Sequence, residues 1–352
     1  GREIHQDSAG MAGVAESNDR FGEALAVADL DADGCDDLVV GVPGEPVGGA
    51  QNAGAVQLLP GGVGGPDAAR DLLLPTAGAA PNGPSANHRK GSAVAAVQRL
   101  TSASSLPMLA IGTPGHGLGA AFNAGGVSIR RSASSAGQLD AVVGFIDRDR
   151  SSFGRVGDFL GNRLAGADFN GDGFGDLAAS TRHIGGCAVF TGSFCVENRG
   201  NLQITYGASS AGSLSFEEIH QDSAGVAGSA VDASFWGETL AVGDFDGDGF
   251  DDLAVGAPLR DVGGVANAGI VTVLFGGAAG LRAAAARSVE LRLSRFNGLS
   301  AEAGDTFGFA LAAADFDRDG DDDLAIGVPG RRSAFATEAG LVLLVPPEAL
   351  AG

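Results

Sequence analysis

Aromatic residues make up only 6% of the chain, with one Trp and one Tyr among 352 residues, while Gly supplies 59. So few large rings beside so many glycines argue against long core helices and for short strands joined by tight turns. Basic residues are also scarce. The 22 Lys and Arg stand against 43 Asp and Glu, a net charge of −21 that disfavours nucleic acid and anionic membrane as partners. No apolar run approaches the roughly 18 residues of a membrane-spanning helix. No charged-then-apolar signal opens the chain, so Gly1 reads as a processed or trimmed start. Of three cysteines, Cys187 and Cys195 flank the turn-like Thr191-Gly192-Ser193 and can bridge a hairpin, whereas Cys35 has no evident mate. The five histidines are scattered, and neither Gly-x-Ser-x-Gly nor His-Glu-x-x-His occurs, which leaves hydrolytic chemistry without a motif.

What the chain does have is carboxylates at a fixed spacing. Asp244, Asp246, Asp248 and Asp252 occupy positions one, three, five and nine of a loop, with Gly249 at position six and apolar runs on both sides. The spacing recurs at Asp29, Asp31, Asp33 and Asp37, at Asp168, Asn170, Asp172 and Asp176, and at Asp315, Asp317, Asp319 and Asp323. Calcium takes six to eight oxygens at about 2.3–2.6 Å, so a short loop has to aim several carboxylates inward while position seven lends its backbone carbonyl. Cys35, Phe174, Phe250 and Asp321 stand at position seven. One acidic loop would be an ordinary solvated turn; four alike predict about four Ca²⁺. An EF-hand would need Glu at position twelve, where Val40, Ala179, Val255 and Ile326 stand instead. Four Ca²⁺ would bring the net charge from −21 to −13.

The first-ligand positions Asp29, Gln98, Asp168, Asp244 and Asp315 are separated by 69, 70, 76 and 71 residues. Five repeats therefore fill the chain, with cores at about 21–75, 91–146, 161–220, 237–294 and 308–346. The second has Gln98 at position one and no carboxylate from Arg99 to Pro107, so its turn should hold no metal. Each repeat reads as four antiparallel strands, A to D, with the acidic loop in the A–B turn. Such a unit cannot bury both its faces alone and must stack on its neighbours, radially or in a line. The last repeat stops after strand C at Val345, and Glu3-Ile4-His5-Gln6-Asp7 reads as a lone strand D. The expectation is a single all-β propeller domain over 1–352, its ring closed by residues 2–7 on the last blade. Glu218-Ile219-His220-Gln221-Asp222 repeats that opening segment, which makes a His5, Asp7, Ser8 triad far less credible than a structural repeat.

Phe21-Gly22…Asp29…Asp33-Gly34…Gly41-Val42-Pro43, with Trp236-Gly237…Gly256-Ala257-Pro258 and Phe307-Gly308…Gly327-Val328-Pro329, resembles the FG-GAP repeat. The resemblance implies the calcium-bearing β-propeller of integrin α subunits and of many secreted bacterial proteins. It departs from the integrin pattern in showing five repeats where integrins have seven blades, and in Ser180-Thr181-Arg182 where Gly-x-Pro is expected. A seven-bladed ring is the alternative count.

The resemblance implies recognition rather than chemistry. Antiparallel strands put the A–B and C–D turns at one end of every sheet and the B–C and D–A loops at the other. Varied loops such as 18–20, 82–90, 150–159, 230–235, 260–266 and 331–337 belong to the second end, where recognition is expected. Arg155, Trp236, Arg260, Arg331, Arg332 and Phe335 are anchor candidates by residue type, with Trp236 also a core candidate as the aromatic of its Phe-Gly pair. The expected role is a non-enzymatic, extracellular or cell-surface module that binds a protein or carbohydrate opposite the calcium loops. A secreted hydrolase or lyase, or a structural subunit of a surface assembly, is the alternative.

Overall fold

The computed structural model describes residues 3–68, 71–74, 85–101, 105–117, 123–132, 139–147, 158–182, 198–210, 214–281, 288–332 and 339–350. Cys187, Cys195, Arg155 and Phe335 lie outside the described residues. Among the described residues the regular structure is strand, apart from short 3-10 turns such as Leu293–Arg295 and Pro347–Ala349. The strands make five antiparallel sheets, each taken from one stretch of sequence in the predicted order.

Two compact units are formed, one from Gly1–Gly166 with Gly207–Leu214, the other from Ala167–Tyr206 with Ser215–Gly352. In the first, Leu25–Ala28 (β1), Asp37–Val42 (β2), Ala55–Leu59 (β3) and Leu72–Leu74 (β4) form one sheet. Val94–Val97 (β5), Met108–Gly112 (β6), Gly126–Ser132 (β7) and Leu139–Asp147 (β8) form the next. The third sheet, Leu164–Ala167 (β9), Asp176–Thr181 (β10), Asn201–Tyr206 (β11) and Ser215–Ile219 (β12), belongs to the second unit apart from the first three residues of β9. In the second unit follow Thr239–Gly243 (β13), Asp252–Ala257 (β14), Ile270–Leu274 (β15) and Ser288–Leu291 (β16). The fifth sheet has three strands, Ala310–Ala314 (β17), Asp323–Val328 (β18) and Leu341–Val345 (β19).

Alternation decides which way each strand faces. In β1, Ala26 and Ala28 turn toward the second sheet and join a core with Val39, Val56, Leu58, Val94, Leu109 and Ile111. The β14 and β15 strands are buried along their whole length, because a neighbouring sheet covers each face. Their residues Ala254, Val271 and Val273 pack with Leu324, Ile326 and Val345 of the fifth sheet. The backbone approach at these junctions is close. A Cβ on Gly41 would lie 2.1 Å from the Gly91 carbonyl oxygen, so nothing larger than Gly fits there.

A backbone ladder repeats at four junctions. The N–H of Arg89 donates to the carbonyl of Asn52, Phe159 to Asn123, Phe235 to Asn198, and Thr306 to Asn267, at 2.9–3.0 Å. All eight residues adopt positive φ, between 49° and 59°. Asn tolerates this region better than most residues, and its recurrence at the same place marks the B–C loop end. The next residue, the aromatic of the Phe-Gly pair, fills the slot between sheets: Trp236 and Phe307 are fully buried there. In the second repeat that slot holds Lys90, whose side chain is buried too and donates from Nζ to the Leu74 carbonyl at 3.3 Å.

The opening segment departs from expectation. Residues 3–7 form no strand, so the expected strand completing the last sheet is corrected to a turn packed on the first repeat. Ser8 N–H donates to His5 O and His5 N–H to Ser8 Oγ, which coils the backbone out of extended form. Gln6 Nε2 then donates to Glu45 Oε2 at 2.8 Å, and Ala12 N–H to Asp71 Oδ2 at 2.7 Å. The copy at 220–230 repeats this, with Ser223 N–H to His220 O and Ala230 N–H to Asp222 Oδ1. Its strand β12 ends at Ile219, the counterpart of Ile4.

Candidate metal loops and a polar cleft

Each acidic loop is built by its own backbone. In the fourth repeat Asp244 accepts from the N–H groups of Asp248 and Gly249 at 3.2 and 2.9 Å, and Asp248 accepts from Phe250 N–H at 3.1 Å. The first loop matches it, with Gly34 N–H on Asp29 and Cys35 N–H on Asp33. So do the third, with Gly173 N–H on Asp168 and Phe174 N–H on Asp172, and the fifth, with Gly320 N–H on Asp315 and Asp321 N–H on Asp319. Gly34, Gly173, Gly249 and Gly320 all have φ between 81° and 105°, the left-handed turn expected at position six.

These turns leave carboxylate oxygens converging. Positions one, three and five of the first, fourth and fifth loops each bring one oxygen within 4.8 Å of the other two. Asp29 Oδ1 is buried and accepts no hydrogen bond, an arrangement that costs free energy unless a cation meets it. In the third loop Asn170 stands at position three, accepting from Asp172 N–H and donating to the Asp172 carboxylate. All-oxygen donor sets of this kind suit a hard cation such as Ca²⁺.

Position nine behaves differently from the other three. Asp252 is fully buried, with Phe245 N–H on Oδ2 at 2.8 Å and Gly276 N–H on Oδ1 at 2.7 Å. Asp37 takes Leu30 and Gly61 N–H in the same way. Asp176 and Asp323 accept from Phe169 and Phe316. This carboxylate thus ties the loop to the sheet whether or not it also reaches a metal. Burial, with smaller repulsion from Asp244 and Asp248, pushes the Asp252 carboxyl up to about 7, and burial likewise raises Asp37. A bound cation would reverse that direction.

The loops also interlock between repeats. Asp251 Oδ2 accepts from Asp168 N–H at 2.7 Å, and Asp322 Oδ2 accepts from Asp244 N–H at 3.2 Å, while Asp322 N–H donates back to Asp244 O. Position eight of one repeat therefore pins position one of the repeat before it.

The opposite end of the sheets holds a different arrangement. Asn18, Arg20, Pro43, Gly44, Asn52 and Arg89 line a polar cleft of about 340 Å³ in the first unit. Glu23 organises it: Oε2 accepts from Arg20 at 3.1 Å and Oε1 from Arg89 at 3.1 Å. Asn52 donates to Asn87 Oδ1 at 3.1 Å across the same junction. Arg20 and Arg89 both precede the first-ligand position by nine residues, a repeat position that residue type alone did not flag.

The anchors expected from residue type are mostly structural. Trp236 is buried and donates to Thr272 Oγ1 at 3.1 Å. Arg260 is buried against Gln221 Oε1 and the Ser229 carbonyl. Arg331 is held by Asp305 at 3.2 Å and the Ser300 carbonyl, leaving Arg332 exposed. The place of the Asp305–Arg331 pair is taken in the second repeat by His88 and His116, whose buried rings meet edge-on with centroids 5.1 Å apart. Burial, then the neighbouring ring, lowers the His88 pKa.

No helix among the described residues is long and apolar enough to cross a membrane. In comparisons with known proteins, the FG-GAP repeat model matches residues 21–59, 236–274 and 307–345. The rat (Rattus norvegicus) phosphatidylinositol-glycan-specific phospholipase D is 34% identical over 173 residues, 48% of this chain and 18% of that protein. Integrin alpha-4 of Xenopus laevis is 32% identical over 105 residues, 30% of this chain and 9% of that protein. The chain thus spans less than a fifth of the curated relatives it matches. Among solved structures, the exotype rhamnogalacturonan lyase YesX aligns over 86% of this chain and 56% of its own, at 11% identity and a TM-score of 0.38. The chain carries FG-GAP repeats, and it is similar over these stretches to integrin α subunits and to the phospholipase D.

Proposed function

We propose that this protein is a calcium-stabilised β-propeller that works outside the cell as a recognition module, binding rather than transforming its ligand. The observation that carries this reading is the division of labour between the two ends of each sheet. One end has the converging carboxylates of the acidic loops, with Asp251 and Asp322 beside them tying one loop to the next. The other end has the cleft of Asn18, Arg20, Asn52 and Arg89. Two guanidiniums held by one carboxylate carry a net single positive charge and keep free N–H donors for a ligand, since each guanidinium has five. The amides of Asn18 and Asn52 add both donors and acceptors. Such a cleft suits a glycan or peptide that offers a carboxylate among hydroxyl or amide groups.

Calcium in this reading is structural. Asp29, Asp31 and Asp33 hold one ion, Asp244, Asp246 and Asp248 another, Asp315, Asp317 and Asp319 a third, and Asp168, Asn170 and Asp172 a fourth. The carbonyls of Cys35, Phe174, Phe250 and Asp321, and the carboxylates of Asp37, Asp176, Asp252 and Asp323, complete the four shells. The bound ions neutralise clusters that otherwise repel and so fix the frame behind the cleft. The test is a glycan and peptide array probed with the calcium-loaded protein, repeated with Arg20→Ala/Arg89→Ala. Loss of binding to acidic ligands in the double variant, with an unchanged melting temperature, supports the reading. Binding that survives the double variant places recognition elsewhere, and turnover of a bound polysaccharide or phosphodiester would make the module an enzyme.

A further inference from the structure

Arg331 of repeat five serves two carboxylates. It reaches Asp305 Oδ2 at 3.2 Å and Glu302 Oε1 at 3.6 Å, and Nη1 also donates to the Ser300 carbonyl at 2.6 Å. Repeat one has Glu16 and Asp19 at the positions of Glu302 and Asp305, but Glu45 at the position of Arg331. Two carboxylates around a guanidinium thus become three carboxylates.

The backbone around these residues is the same in both repeats. Glu16 N–H donates to Asp19 Oδ2 at 2.5 Å, as Glu302 N–H does to Asp305 Oδ2 at 2.7 Å. Gly44 N–H donates to Asp19 O at 3.0 Å, as Gly330 N–H does to Asp305 O at 3.2 Å, and Gly54 N–H donates to Glu45 O as Gly340 N–H does to Arg331 O. Side chains 19 and 45 are therefore set against one another as 305 and 331 are, and as the imidazoles of His88 and His116 are in repeat two. Asp19 is 3% and Glu45 8% exposed, while Glu16 is exposed and leaves an ion a way in. Asp19 Oδ1 is buried and has no hydrogen-bond partner. Asp305 Oδ1 has none either, but there Arg331 balances the charge. At Glu45, Gln6 Nε2 occupies only Oε2. Burial, with repulsion from Asp19 and Glu16, pushes the Glu45 carboxyl up, and the Gln6 hydrogen bond alone opposes them. Carboxylates so buried need a cation or a proton, and three oxygen-bearing anions together suit a hard divalent cation.

We propose that Asp19, Glu45 and Glu16 hold a hard divalent cation such as Ca²⁺ in the place that the Arg331 guanidinium fills in repeat five, at a site separate from the four acidic loops. One of its three carboxylates is exposed, so it fills at higher calcium than the loops. Asn18 and Gly44, which precede Asp19 and Glu45, line the polar cleft, so the ion braces one wall of it.

The experiment is equilibrium dialysis of the full chain against millimolar radioactive calcium, with circular dichroism to check folding. Glu45→Arg installs the repeat-five arrangement and is expected to bind one ion fewer than the wild type. It should also melt higher than the wild type in chelator, where the three carboxylates repel without relief. Glu45→Gln keeps the side chain's size, tests the site should Glu45→Arg fail to fold, and should weaken that ion by about tenfold or more. Asp244→Asn/Asp248→Asn is expected to lose a different ion, so its loss adds to that of Glu45→Arg. Equal ion counts in the wild type and both Glu45 variants mean that the carboxyl groups share a proton instead, and overturn the proposal. A loop variant that loses no ion refutes calcium in that loop and leaves this site to the Glu45 variants, so the two readings fail separately.

Discussion

Replacing Lys90 by Met should stabilise the protein near neutral pH and flatten part of its pH dependence. Lys90 occupies the aromatic slot between the first two sheets and is 1% exposed. Burial, with a smaller contribution from Arg130, lowers its pKa from 10.5 to about 7. The sign follows from proton counting. Between about pH 7 and 10.5 the unfolded chain holds a proton that the folded one lacks, so folding stability rises with pH across that window. Below it both states are charged, and the folded state carries the full cost of a buried cation. At about 1.4 kcal/mol per pH unit, the interval sets an upper bound near 5 kcal/mol, and relaxation around the ammonium reduces this to roughly 2–4 kcal/mol. Met fills a similar volume without the charge and gives up the bond to the Leu74 carbonyl, a loss of about 1 kcal/mol. Urea unfolding of both proteins in saturating calcium at pH 6 to 10 measures the difference directly, and carboxylate titrations common to both cancel. The variant should gain about 1–3 kcal/mol at pH 6, with the gap closing by pH 10. A difference that is constant with pH would refute the placement of a strongly perturbed lysine in that slot.

Three further outcomes follow from the loops and junctions. Chelating calcium should lower the melting temperature sharply, because each site filled at a hundred times its Kd adds about 2.7 kcal/mol, and calorimetric titration should count about four sites. Asp252→Asn, which leaves one of the Phe245 and Gly276 N–H groups facing an amide NH₂, should cost about 1–3 kcal/mol in chemical denaturation even without metal. Gly41→Ala puts a Cβ against the Gly91 backbone and should cost about 3 kcal/mol, whereas Gly249→Ala meets open space and pays only for its positive φ, about 1 kcal/mol. Equal losses in the two glycine variants would contradict the close approach at the junction.

The five-sheet organisation was legible because Asp spacing, Phe-Gly pairs and Gly-x-Pro ends recur at nearly constant intervals. The loop geometry was legible for the same reason: oxygen-bearing side chains at alternate positions and Gly at position six leave the backbone little choice. Residues 3–7 misled because apolar and polar residues alternate there as in a strand, while a local Ser8–His5 hydrogen bond, invisible to periodicity, selects a turn. Lys90 was passed over because a charged residue hides the Phe-Gly cue, although Gly91 at the repeat interval marked the slot. The cleft is not legible from residue type. Arg20 and Arg89 are ordinary surface residues in sequence, and only the pairing of neighbouring repeats sets them on opposite sides of Glu23.

The backbone ladder ties Asn52, Asn123, Asn198 and Asn267 to the following repeat. It uses main-chain atoms, so it holds the same geometry whatever side chains stand beside it: a salt bridge between Asp305 and Arg331, edge-on imidazoles at His88 and His116, or the arginines around Glu23. Structure and vocabulary are thereby uncoupled. A mutation can therefore change the side chains at one junction while the backbone of that junction and of its neighbours keeps its shape.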